Sequence, residues 1–178
     1  KKKKRGRQCG GVAVYARNNI AYSFNEILNY ATNCIQALIL YSKKLNLIII
    51  NIYRQPDDSI HGHPSKSKDF KLLIDEIEKT LNDIDKSPLI IFGGDFNLPH
   101  MCDSIDNPIK EERLMIEYLQ TLCFDYSLSQ IIDSPTHKDG NILDLIFTND
   151  TEHVHSHAVI PNLSSITHHY TLHIATRF

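Results

Sequence analysis

Asp95 and Asn97 follow the apolar run Leu89-Ile90-Ile91-Phe92 and the pair Gly93-Gly94. A carboxylate can exchange a proton, and an amide two residues away can give and accept hydrogen bonds, so the two could serve one reacting centre. In an extended chain, residues i and i+2 share a face; Asp95 and Asn97 would then point into one space, with Phe96 packed behind them. The alternative is an Asx-type turn in which both side chains only satisfy loop backbone. Asp144 is the second residue that calls for chemistry. It lies in the apolar run Ile142 to Phe147, on the face of Ile142 and Ile146, and a carboxylate there needs a charged or hydrogen-bonded partner. A structural salt bridge would meet that need. A third group, the histidines near the end of the chain, includes His168 and His169.

The elements that must position these residues alternate in type. Leu89 to Phe92 reads as a strand buried on both faces, ending at Gly93-Gly94, where the glycines allow a turn and close approach of other atoms. Its carboxyl end is where α/β sheets place ligands. Before it, Phe70, Leu73, Ile74, Ile77, Leu81 and Ile84 recur at helical spacing, giving a strand, helix, strand crossover. Cys34 to Tyr41 and Asn46 to Tyr53 are apolar runs separated as in a hairpin, and Pro56 closes the second. Gly10 to Arg17 reads as a strand, with a second short one toward Ile20 and Tyr22. Pro108 suits a helix start, capped by Asp106 or Asn107, and Leu114, Met115, Tyr118, Leu119 and Leu122 form its apolar stripe. Ile142 to Phe147 and Tyr170 to Thr176 complete the strands. His153, His155 and His157 alternate; they suit either a Zn²⁺ or Ni²⁺ site on one strand face or a solvated row.

The 178 residues fit one domain with a substantial core, at 42% hydrophobic and 22% charged content. No apolar run approaches the roughly 20 residues needed to cross a bilayer, and no signal peptide is visible, so the expectation is a soluble intracellular chain, nuclear or cytoplasmic. Cys9, Cys34, Cys102 and Cys123 lack the close spacing of a zinc site and read as reduced thiols. Six of the 19 basic residues lie in Lys1 to Arg7, leaving 13 against 21 acidic residues in the rest. Residues 1–9 therefore read as a basic disordered tail, and 10–178 as one domain.

The stretches "GGVAVYAR", "IIFGGDFN", "PTHKDGNILDLIFTN" and "SSITHHYTLHIATRF" resemble segments of the endonuclease/exonuclease/phosphatase family. The third resembles the form found in endonuclease domains of non-LTR (LINE-type) retrotransposons. The resemblance implies an α/β fold: two mixed β-sheets packed face to face with helices on the outside, a four-layer sandwich. It also implies Mg²⁺-dependent cleavage of a DNA phosphodiester, with Mn²⁺ as an alternative ion. Asp95 would take a proton from the attacking water, and Asn97 would orient that water and the phosphate. Asp144 would orient His169, whose imidazolium would stabilise the phosphorane. Tyr53 would contact substrate phosphate, with an aromatic cap on the core as its other reading, and Thr136 would contact DNA.

His168 stands where the family motif has Asp. No candidate for the family's metal-binding Glu or its Asn segment precedes "GGVAVYAR", which makes the expected domain incomplete at its amino terminus, without the first strand-helix unit. The principal metal ligand is then unidentified, with Asp95 or Asn97 as minor contributors. An impaired nuclease follows, with DNA as substrate and a reverse transcriptase domain of the same polyprotein as the expected partner. A phosphatase for a small phosphoester and a non-catalytic nucleic-acid-binding remnant are the other readings.

Overall fold

Strand β3 (Leu47–Arg54) is the inner strand on which the larger sheet is built. Ile48, Ile50 and Ile52 are at most 1% exposed on one face, while Ile49 and Asn51 are half-buried on the other. This explains the nearly unbroken apolar sequence, since both faces of the strand are covered. β2 (Ile35–Ser42) pairs with it as an antiparallel hairpin, setting Ala37 opposite Ile52 and Ile39 opposite Ile50. In the turn, Ser42 Oγ accepts the Leu45 N–H at 3.2 Å. In this computed structural model the described residues are 11–17, 23–56, 66–84, 87–102, 110–161 and 167–176.

From β3 the chain crosses through helix α1 (Lys66–Asn82) to β4 (Leu89–Asp95), which lies parallel to β3. Helix α2 (Lys110–Asp125), the short β5 (Ser129–Gln130) and β6 (Asp144–Thr148) follow; β6 runs antiparallel to β4. With β1 (Asn25–Ala31) at one edge, the sheet has the order β1-β2-β3-β4-β6-β5 and is mixed. Phe70, Leu73 and Ile77 from α1 and Met115 and Leu119 from α2 are fully buried in one core with Ile50, Phe92, Phe96 and Phe147. Each such side chain contributes about 1.5–3 kcal/mol by leaving water. In α2 the buried face is Glu112, Met115, Ile116, Leu119 and Leu122, with Leu114 and Tyr118 only half-buried.

The second sheet is the antiparallel pair β7 (Val154–Ile160) and β8 (Thr171–Thr176). Ile174 and Thr176 share the lining of a cavity of about 350 Å³ with Leu40, Leu47, Ile49 and Ile91. The small sheet thus faces the side of the larger sheet opposite the helices. The result is an α/β sandwich of two sheets face to face, with both described helices outside the larger one. No described helix is long and apolar enough to cross a membrane.

Several elements differ from the sequence reading. β4 does not end at the glycines; it runs through Gly93 and Gly94 to Asp95, in register with both neighbours. The glycines serve close approach: a Cβ on Gly94, at φ +141°, would lie 1.9 Å from the Ile52 carbonyl oxygen. Residues 11–17 have no regular structure, although Asn51 Nδ2 donates to the Ala13 carbonyl at 3.3 Å. β6 begins at Asp144, two residues after the expected start at Ile142. The alternation of His153, His155 and His157 is broken by an irregularity between Val154 and Ser156, and His153 precedes the strand, bonded to Asp150 at 2.6 Å. The basic segment 1–9, the proposed strand residues Ile20 and Tyr22, the helix cap at 106–108 and the start of the final motif at Ser164 lie outside the described residues.

Candidate active site

The antiparallel pairing of β4 and β6 makes Asp95 and Asp144 direct cross-strand partners, so their side chains leave the sheet on the same face. Parallel pairing puts Tyr53 beside Asp95 from the other flank, where its ring is half-buried. The site therefore sits at the carboxyl ends of β3 and β4, toward the small sheet.

Below Asp144, Thr136 is fully buried, and its Oγ1 accepts the backbone N–H groups of Leu143 at 2.9 Å and Asp144 at 3.0 Å. The sequence reading gave Thr136 to DNA contact, but here its oxygen fixes the start of β6. Thr136→Val, which leaves both amides without their acceptor, is expected to lower stability by about 1–3 kcal/mol, with Thr136→Ser losing much less. Urea denaturation of the two variants checks this.

His169 arrives from a distant segment. An isolated bridge pairs His137 with His169; within it Tyr170 N–H donates to the Thr136 carbonyl at 2.7 Å and Lys138 N–H to the His168 carbonyl at 3.0 Å. This places His169 Nδ1 2.9 Å from Asp144 Oδ2. Its Nε2 then faces Asp95 Oδ2 at 3.8 Å, too far for a hydrogen bond between them. One ring nitrogen is held and the other points into the space above Asp95.

The electrostatics follow from this crowding. Burial, and then the charge of Asp144, push the Asp95 carboxyl up from 3.8 to about 6, against the opposing pull of His169 and Asn97. Burial disfavours the His169 imidazolium and is the largest single influence on it. The Asp144 hydrogen bond and the charges of Asp144 and Asp95 together outweigh it, so its pKa lies above the usual 6.5. His137, with its ring centroid 5.0 Å from that of His169, is shifted the other way by burial and then by the His169 charge.

Asn97 does not extend the strand. It has φ +49°, its N–H donates to Asp95 Oδ1 at 3.2 Å, and its Nδ2 donates to the Arg54 carbonyl at 2.6 Å. The local form is thus the Asx-type turn, yet Asp95 Oδ2 still faces His169. Phe96 packs behind, its ring 5.2 Å from Phe92 and 5.7 Å from Phe147. The structure brings Asp95, Asp144 and His169 together and puts Asn97 and Tyr53 beside Asp95. His168 is exposed, its ring 5.9 Å from that of His137. The sequence reading missed His137, whose position in "PTH" beside Thr136 was the available signal, and Arg54, which closes the strand before Asp57.

Ligand atoms of Asp95, Asp144 and His169 all lie within 4.8 Å of one another, the one such group of three among the described residues. Two mostly buried carboxylates that repel each other fit a divalent cation, and their oxygens are the hard donors that Mg²⁺ or Mn²⁺ accepts. The His169 Nδ1 is already committed to Asp144.

A family model described as "Endonuclease-reverse transcriptase" matches residues 47–172, a span that contains Tyr53, Asp95, Asn97, Thr136, Asp144 and His169. The chain belongs to this family. It is an endonuclease-type domain of the endonuclease/exonuclease/phosphatase fold. Among solved structures, the endonuclease domain of TRAS1, a telomere-specific non-LTR retrotransposon, is similar over 88% of this chain and 69% of its own, at 17% identity and TM-score 0.54. A beta toxin structure from Staphylococcus aureus is 16% identical over 81% of this chain and 57% of its own, with TM-score 0.49. An endonuclease/exonuclease/phosphatase family protein from Leptotrichia buccalis C-1013-b is 16% identical over 87% and 61%, with TM-score 0.47. The likeness to the first of these supports the family's fold. No curated protein matches the chain.

Proposed function

We propose that the chain hydrolyses DNA phosphodiester bonds with the aid of Mg²⁺, as a nicking endonuclease domain. The observation that carries this reading is the line Asp144, His169, Asp95, with one imidazole nitrogen fixed at 2.9 Å and the other facing a carboxylate across 3.8 Å. A phosphate oxygen in that space would meet a donor that is pre-oriented and charged. Asp95 takes the proton from the attacking water, and Asn97 aligns that water. His169 donates from Nε2 to a non-bridging oxygen as charge builds on the phosphorane. Asp144 holds the ring and favours its protonated form. Tyr53, beside Asp95, is the proposed contact to substrate phosphate, and Thr136 is assigned a positioning role under Asp144 rather than the DNA contact. Asp95 and Asp144 would hold Mg²⁺ or Mn²⁺, which when bound supplies charge neutralisation at the phosphate and the leaving oxygen. A reverse transcriptase domain in the same polyprotein is the partner this reading proposes.

The two pKa shifts give the pH dependence its sign. Asp95 must be deprotonated, so the rate falls as pH drops through its pKa, which is about 6 without metal and lower once Mg²⁺ is bound. His169 must be protonated, so it falls again as pH rises through a value above 6.5. The initial rate of nicking is expected to trace a bell between these limits, the two apparent values belonging to the coupled pair. Release of inorganic phosphate from a small phosphomonoester, measured beside it, tests the phosphatase reading. Phosphate release without nicking would replace the nuclease by a phosphatase, and a rate flat from pH 5 to 9 would contradict the assigned proton roles.

A further inference from the structure

We propose that Arg54 is a positioning residue for Asn97, holding its amide at the reaction centre through a reciprocal clamp between the ends of β3 and β4. The catalytic part of this inference rests on the nuclease reading above. Arg54 is 1% exposed although it carries a full charge. Its Nε donates to the Phe96 carbonyl at 2.7 Å and its Nη2 to the Asn97 carbonyl, while Asn97 Nδ2 donates back to the Arg54 carbonyl at 2.6 Å.

Burying a guanidinium is costly unless its donors are satisfied, and an aliphatic residue would fill the same space without that cost. The fork of the guanidinium provides what an aliphatic cannot: two donors at fixed spacing, set on consecutive carbonyls. Those carbonyls flank the point where Asn97 turns to φ +49°, a conformation that L-residues enter at some energetic cost and Asn tolerates best. With the backbone held from one side and Nδ2 from the other, the amide plane has one orientation. The same residue then passes its position on, since Asn97 N–H donates to Asp95 Oδ1. The clamp depends on the parallel register that sets Tyr53 against Asp95, which brings Arg54 level with Phe96.

Arg54→Lys keeps the charge and removes the fork. The expected result is a kcat for plasmid nicking lower by about 10²-fold, the usual effect of misplacing a catalytic group by about an ångström, with KM within about twofold. In the Asn97→Ala background the same substitution should cost less than about threefold, because the group it positions is gone. The readout independent of catalysis is NMR of the substrate-free protein: the Asn97 side-chain amide protons exchange slowly in the parent and at least tenfold faster in a folded Arg54→Lys. That result in a parent that does not nick would retain the clamp and reject the nuclease reading. Unchanged exchange in folded Arg54→Lys, or additive losses in the double variant, would overturn the clamp. If Arg54→Lys does not fold, the Arg54 Nη protons of the parent decide. Hindered rotation and slow exchange support the clamp, and free rotation overturns it.

Discussion

Asp95→Asn is expected to lower nicking by at least about 10²-fold while making the protein more stable at neutral pH. The activity loss follows from removing the base, whose contribution is typically about 10²–10⁴-fold. The stability gain follows from linkage. The folded-state pKa of Asp95, about 6, lies above its ordinary 3.8, so the folded protein binds this proton more tightly than the unfolded chain does. Stability then falls as pH rises from 3.8 through about 6, and the full penalty is present at pH 7 and above. Two pKa units correspond to about 3 kcal/mol, reduced in the variant because Asp95 also supports the charge on His169. A net gain of about 1–3 kcal/mol should raise Tm by roughly 3–8 °C at pH 7.5 and shrink toward zero below about pH 4. Thermal melts across that range check the sign. An equally active variant, or one less stable at pH 7.5 than at pH 4 relative to the parent, would contradict this.

Gly94→Ala should be the most damaging glycine-to-alanine substitution among the described residues. The added Cβ would sit 1.9 Å from the Ile52 carbonyl oxygen and 2.8 Å from its carbon and nitrogen, all backbone atoms of the adjoining strand, at a φ of +141° that L-residues rarely adopt. Relief requires β3 and β4 to separate where Arg54 and Asp95 are placed. A loss of more than about 4 kcal/mol, or no cooperative unfolding at all, is expected. Gly93→Ala meets Leu145 O at 3.1 Å and the side chain of Ile146 at 3.3 Å, so a few tenths of an ångström relieve it and its cost should be far smaller. Urea midpoints in the order parent, Gly93→Ala, Gly94→Ala check this; a Gly94→Ala midpoint equal to that of the parent would refute the close-approach account.

Those glycines also show where sequence is informative and where it stops. Gly93-Gly94 reads as the end of a strand because glycine weakens strands locally. The need for glycine comes from Ile52, 42 residues away, and only the β3–β4 register reveals it. The same register explains why Arg54 escaped notice: its partners are the carbonyls of Phe96 and Asn97, which have no signature in residue type. A carboxylate next to or within a buried apolar run is by itself equally well met by an Asx turn or a structural salt bridge; Asp95 and Asp144 were legible through the resemblance of "IIFGGDFN" and "PTHKDGNILDLIFTN" to a known family. Their cross-strand pairing was not, since it depends on an antiparallel β6 that follows a helix and a long loop. His169 was separable from His168 only by assuming where the last strand begins; in the structure the bridge to His137 makes that choice. β1 was missed because NEILNYA mixes polar and apolar residues without clean alternation, and that edge strand is mostly exposed. Residues 11–17 show the converse, an apolar, glycine-led stretch with the composition of a strand but no regular structure.

The most direct test of the central claim is conversion of supercoiled plasmid to open circles by the folded chain, with Mg²⁺ or with a chelator, beside Asp95→Asn and His169→Ala prepared identically. The arrangement of Asp144, His169 and Asp95 predicts nicking that requires Mg²⁺ and falls by at least about 10²-fold in each variant. No nicking by a folded parent, or nicking undiminished in either variant, would contradict the assignment of this site.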